Sequence, residues 1–167
     1  TSPITDMPLG NQISKECVKR GLQILIDRHI KLFMHNAYFD TVLIKKEFGM
    51  WLWATFDTLN AAHLLNENEE HGLKYLYVKY CAGGQKADKF AELFGGIPFN
   101  YIPPEVGFPY AAKDADMSLA LGEFYEPFLT VGTQECADYN LERIAKLFWE
   151  VEMPIQRVVC DMKIRGI

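Results

Sequence analysis

Asp114 has the most chemistry to offer in this chain, because it is a carboxylate on the apolar face of a helix. Tyr110, Asp114, Met117, Leu121, Phe124 and Phe128 recur at spacings of four, three, four, three and four, the period of a single helical face. Pro109 suits a first helical turn, where its missing N–H goes unneeded, so the pattern predicts a helix over 109–124. Asp114 then points inward. A carboxylate so placed is paired, protonated or metal-bound, since a bare buried charge costs many kcal/mol. Unless a basic side chain reaches it, burial pushes its pKa above the ordinary value of about 3.9. Tyr110 lies one turn earlier on the same face, so its hydroxyl and the carboxylate can address one ligand. Asp116, turned away by roughly 200° at about 100° per residue, faces solvent.

A second carboxylate stands at the start of another helix. Lys31–Asn36 is a short apolar run that stops at a cap residue and reads as a strand. A helix follows over 37–48, with Gly49 as its natural terminator. Asp40 falls in its first turn, just beyond the carboxyl end of the strand, where α/β proteins commonly place ligands. An acid is also favoured there by the helix dipole alone, and from this residue the two readings weigh equally. Trp51–Phe56 is β-prone and runs into Asp57-Thr58, which reads as the cap of a helix through Leu65 rather than as a ligand. His63 has no second histidine or cysteine at metal-ligand spacing.

These elements need others to hold them. An amphipathic helix is predicted over 14–27, with Leu22, Leu25 and Ile26 on its apolar side. Glu67, Glu69 and Glu70 read as a solvated loop, and a helix over 73–80 carries a core stripe of Tyr75, Tyr77 and Tyr80. The stretch 81–108 is rich in glycine and proline and reads as a loop with one short helix near 87–94. Gly83–Lys86 lacks the Gly-Lys-Ser/Thr ending of a phosphate loop. After a break at 130–133, a long amphipathic helix is expected over 134–149, interrupted at Glu152-Met153-Pro154, with a last helix to Gly166. Thr1–Asn11 reads as a loop, as if the chain starts in mid-fold.

At 167 residues, 49% apolar and 13% aromatic, the chain suits one globular domain with a sizeable core. The net charge of −5 argues against a broad basic surface for nucleic acid, so contact with a polyanion must be local or metal-mediated. Cys17, Cys81, Cys136 and Cys160 are widely spaced and read as reduced thiols with no zinc role. No apolar run reaches the roughly 18 residues of a membrane span, and the start carries no signal-peptide pattern. The expectation is a cytoplasmic protein with no membrane partner.

Three segments then coincide in order: His35-Asn36-Ala37-Tyr38-Phe39-Asp40, Phe56-Asp57-Thr58, and Tyr110-Ala111-Ala112-Lys113-Asp114-Ala115-Asp116. Together they resemble the 3′–5′ proofreading exonuclease domain of family A DNA polymerases, the DNA polymerase I type. The N-x-x-x-D and Y-x-x-x-D segments are similar to that family's second and third exonuclease motifs. Phe148–Pro154, followed by Arg165-Gly166-Ile167, is similar to the junction that leads into the polymerase domain. The resemblance implies an α/β, ribonuclease H-like (DnaQ-like exonuclease) fold, helix-rich and incomplete here. It divides the chain into a partial exonuclease domain over 1–133 and a helical junction over 134–167.

The resemblance also implies roles. Asp40 and Asp114 become metal-ligating and catalytic carboxylates, Tyr110 helps position the attacking water, and Asn36 and Tyr38 contact substrate. Magnesium or manganese ions, as a pair held by four carboxylates in such domains, would be the cofactors. Single-stranded DNA 3′ ends would be the substrate, and upstream strands and a polymerase domain the missing neighbours. The family's first motif, D-x-E, occurs nowhere in this sequence. The chain is therefore expected to be an internal piece of an active enzyme, and inactive by itself. Two alternatives stand beside this: a metal-free, exonuclease-like scaffold supporting a polymerase domain, and a ribonuclease D-like RNA exonuclease, against which the 152–154 junction argues.

Overall fold

A computed structural model describes residues 13–83, 87, 90–98 and 101–167. The expectations for Thr1–Asn11, and for Gly84–Lys86 within the glycine-rich stretch, lie outside these described residues. The frame for the site is a parallel β-α-β unit. Strands β1 (Phe33–Met34) and β2 (Phe56–Asp57) pair in parallel, Phe33 against Phe56 and Met34 against Asp57, and helix α2 (Ala37–Phe48) connects them. Gly49 ends α2 in the left-handed region at φ +72°, donating its N–H to the Lys45 carbonyl, as the sequence suggests.

Both strands are shorter than the apolar runs predict. Thr55 and Phe56 both donate to the single Leu32 carbonyl, at 2.8 and 3.1 Å, while the Leu32 N–H goes to the Thr55 hydroxyl. The regular ladder therefore starts only at Phe33. Upstream, Trp51 and Trp53 stack on each other with ring centroids 4.7 Å apart, an alternative use for β-prone residues. Downstream, helices take over at once: α3 (Thr58–Leu65) follows β2 without a linker, and α4 (Leu73–Tyr80) follows after a loop. Helix α1 (Lys15–Asp27) precedes β1 and is capped by the Ser14 hydroxyl on the Cys17 N–H. It contributes only half-buried side chains, Leu22, Leu25 and Ile26 among them.

Helix α5 (Phe90–Phe94) is the short helix of the loop, and α6 (Pro104–Tyr125) is the long helix against which β1, α3 and α4 pack. The sequence places its start at Pro109, whereas it begins five residues earlier. Pro104 takes the N-terminal proline position, and Pro109 sits inside, where the carbonyl four residues back has no N–H to meet. The predicted inward face holds. Met117 and Leu121 are buried, Tyr110, Asp114, Phe124 and Phe128 are half-buried, and Asp116 is exposed. Gly122 lets β1 touch this helix, since a Cβ there would stand 2.0 Å from Cδ1 of the Phe33 ring. Beneath lies a core of Phe56, Ala61, Ala62, Leu76, Leu121, Tyr125, Leu129 and Phe148. Each fully buried Leu or Phe contributes about 1.5–3 kcal/mol.

The C-terminal part departs further from expectation. After a 3₁₀ turn at Glu126–Leu129, the predicted helix over 134–149 is broken into α7 (Gln134–Asp138) and α8 (Glu142–Leu147). Asn140 adopts φ +54° between them, a left-handed conformation that asparagine tolerates and a continuing helix does not. At 152–154 the sequence suggests an interruption, yet α8 runs through a π-helical turn (Phe148–Glu152) directly into α9 (Met153–Arg165). Pro154 cannot donate to the carbonyl four residues back, and the wider turn absorbs that loss without breaking the rod. Two smaller corrections belong here. Tyr75 is exposed rather than in a core stripe, and Glu69 is held with its side chain only 7% exposed, receiving hydrogen bonds from Lys79 and Tyr80 rather than lying in solvent. The four cysteines are free thiols.

Candidate active site

Asp57 is the structural centre of the β1–β2 end of the site. Its side chain is 1% exposed and accepts four hydrogen bonds. Oδ1 takes the N–H groups of Leu59 at 2.9 Å and Asn36 at 3.1 Å, and Oδ2 takes the N–H of Ala37 at 2.8 Å and Nε2 of Gln156 at 2.6 Å. The cap expected for α3 is present, and the same carboxylate also caps α2 from the next strand. Asn36 makes no side-chain cap bond of its own; it sits in the left-handed region at φ +64°, which turns its N–H toward Asp57. The cap role that the sequence suggests for Asn36 thus passes to Asp57.

The α2 helix so anchored carries the second-motif residues. Asn36 is exposed, Tyr38 is half-buried, and Phe39 is exposed. Asp40 is half-buried one turn into the helix, and its pKa is raised, first by burial and then by the Asp57 charge. At the end of β1, burial lowers the pKa of His35. The Thr58 hydroxyl gives its one proton to the Met34 carbonyl at 3.2 Å, so it receives His35 Nδ1–H at 2.9 Å.

The third-motif residues meet on α6. Lys74, the second residue of α4, donates its ammonium to the Tyr110 hydroxyl and lies 3.4 Å from Asp114 Oδ1. The ammonium also stands 4.0 Å from the centroid of the Tyr110 ring. Phe90 and Phe94 pack edge-on against that ring, with centroids at 5.5 and 5.7 Å. Lys74, Tyr110 and Asp114 line one side of a cavity of about 380 Å³ whose other wall includes Phe94, Val106 and Met117. Of the choices open to a carboxylate on an apolar face, Asp114 is paired. Lys74 and Gln156 carry no local signal in the sequence, because each belongs to a helix remote from the motif it serves.

The structure joins Tyr110 to Asp114 through Lys74, and places Asp40 beside Asp57 at the strand ends. Hard dications take six or more oxygen ligands. Among the described residues no three His, Cys, Asp or Glu side chains converge to hold a metal ion, and an ammonium already faces Asp114. The donor set does not by itself fit the pair of ions that the resemblance implies.

The fold thus presents a short parallel β-α-β unit, an acid in the first turn of its helix and a Tyr–Asp pair on a long helix. The family model for the 3′–5′ exonuclease of family A DNA polymerases matches residues 7–127, and the chain belongs to that family. The family implies a ribonuclease H-like fold, and its exonuclease domains are generally dependent on divalent metals. The chain is 26% identical to DNA polymerase I of Borreliella burgdorferi, over 93% of this chain and 16% of that protein. It is 28% identical to the DNA polymerase of Escherichia phage T5, over 81% of this chain and 17% of that protein. With DNA polymerase I of Chloroflexus aurantiacus the identity is 31%, over 81% of this chain and 14% of that protein. The chain thus spans about a sixth of the length of these relatives.

Proposed function

We propose that the chain is part of a family A DNA polymerase and supplies most of its 3′–5′ proofreading exonuclease domain, acting on single-stranded DNA 3′ ends. The family match over 7–127 carries this reading, because it runs through both Asn36–Asp40 and Tyr110–Asp114. Residues 1–133 form the exonuclease unit, and 134–167 form a helical junction toward a polymerase domain. No helix among the described residues is long and apolar enough to cross a membrane, and the cytoplasm is the compartment proposed.

Within this reading, Asp57 holds the start of α2 so that Asp40 projects at a fixed place, and Asn36 and Tyr38 flank the DNA strand. The Tyr110 hydroxyl orients the attacking water, and Asp114 lies one turn away on the same face. Magnesium or manganese dependence requires carboxylates beyond Asp40 and Asp114, contributed from outside the described residues. The shortage of ligands favours a second reading, a metal-free scaffold that supports the polymerase domain without cutting.

Release of nucleotides from the 3′ end of labelled single-stranded DNA separates the two. In the longest encoded form of the protein, with magnesium or manganese, wild type should degrade the strand and Asp114→Ala should not. Equal rates in both, or no release by either, would remove the exonuclease reading.

A further inference from the structure

Lys74 stands where a cation is needed. It belongs to neither exonuclease motif, yet its side chain, 15% exposed, touches both functional groups of the third. Among the groups that hold it there are the Asp114 carboxylate at 3.4 Å, the Tyr110 hydroxyl, and the Tyr110 ring face at 4.0 Å. A cation over an aromatic face and against a carboxylate gains from both, and the more so in a partly desolvated wall. The ring is itself braced by Phe90 and Phe94, so the ammonium rests on a rigid platform. Lys113, the other basic residue of the cavity, is exposed.

We propose that Lys74 is a positioning residue and the resident counter-ion of this site. Its ammonium neutralises Asp114 and ties it to Tyr110, so that the pair is already arranged before any dication arrives. The ammonium adds to the mismatch between the donor set and a metal pair, because it occupies one cation position at Asp114. A dication that binds Asp114 must then displace the ammonium. The proposal rests on the exonuclease reading for the meaning of the pair, and its test does not depend on nuclease activity.

The test is a set of thermal melts and calorimetric manganese titrations on this chain, comparing wild type, Lys74→Met, Lys74→Arg, Asp114→Asn and the double variant Lys74→Met/Asp114→Asn. Without metal, Lys74→Met should lower the melting temperature by roughly 3 °C or more, and Lys74→Arg should restore most of it. Asp114→Asn should also lower it, because it removes the negative charge that faces the ammonium. Excess manganese should raise the melting temperature of Lys74→Met more than that of wild type, and the double variant should lose that response. An equal manganese response in wild type and Lys74→Met overturns the proposal, as does a response that survives in the double variant. If Lys74→Met does not fold, Asp114→Asn decides: a metal-free melting temperature at or above wild type shows that no counter-ion pair was lost. Nuclease loss in Asp114→Ala with equal manganese responses removes the counter-ion role alone. The reverse pattern removes the exonuclease reading alone.

Discussion

Replacing Asp57 by asparagine should unsettle the fold more than any other single-atom exchange in the site. The side chain keeps its shape, but one acceptor oxygen becomes an amide that can only donate. Whichever way the amide turns, it faces at least one backbone donor it cannot satisfy: Leu59 and Asn36 on one side, or Ala37 on the other, where Gln156 can turn its own amide to accept. Hydrogen bonds to a charged group contribute about 1.5–3 kcal/mol each, and a buried donor left unmet costs a similar amount. With the side chain 1% exposed, water cannot make up the loss. Allowing for relaxation and for the neutral bonds that remain, the cost is about 3–5 kcal/mol, a large part of a typical domain stability of roughly 5–15 kcal/mol. At about 2–4 °C per kcal/mol for a chain of this size, the melting temperature should drop by roughly 6–20 °C. Urea unfolding followed by far-ultraviolet circular dichroism measures it, with Asp116→Asn, on the exposed face of α6, as a control within about 0.5 kcal/mol. A loss below about 1 kcal/mol for Asp57→Asn would mean that the four bonds do not act together as the geometry implies.

Two further outcomes follow from single residues. Gly122→Ala gains helix propensity of about 1 kcal/mol but drives a Cβ to 2.0 Å from the Phe33 ring; overpacking of about 1–3 kcal/mol or more should win, and a raised melting temperature would refute the close contact of α6 with β1. For Asp40, the folded carboxyl keeps its proton above the ordinary value of 3.8, so the native state binds more protons than the unfolded one in that window and stability falls as pH rises through it. Asp40→Asn should therefore stabilise the metal-free chain by about 1 kcal/mol at neutral pH and by much less near pH 4; urea unfolding at the two pH values checks it, and a gain independent of pH would point to a cause other than the charge.

Helix faces and the cap of α3 were legible in the sequence because they are local, whereas the cap of α2 comes from the next strand. The four-and-three spacing that turned Asp114 inward and Asp116 outward needs only α6 itself, and the strand-to-helix step at Asp57-Thr58 needs only its neighbours. The strand lengths were not legible, since Trp51 and Trp53 have the β propensity of a ladder yet stack on each other. The long helix over 134–149 was expected from an amphipathic pattern that does not register the left-handed turn at Asn140. The site's counter-charge was out of reach for the same reason. Burial of Asp114 was readable, but whether a base would meet it depended on α4 packing against α6, which brings Lys74 across 40 positions of sequence.

The bond from Gln156 to Asp57 spans 99 residues, and this separation sets its entropic cost apart from that of the other three. Asn36, Ala37 and Leu59 lie within 21 residues of Asp57, so their loops close early and at small entropic cost. Gln156 lies 99 positions away, and because closure entropy grows with the logarithm of loop length, its contact costs about 1.4 kcal/mol more to close than that of Asn36. Without α9 beside α2, Oδ2 of Asp57 would hold only the Ala37 N–H. The helix start that aims Asp40 is thus held by three short-range bonds and one long-range side chain, so its full anchorage depends on the docking of α9.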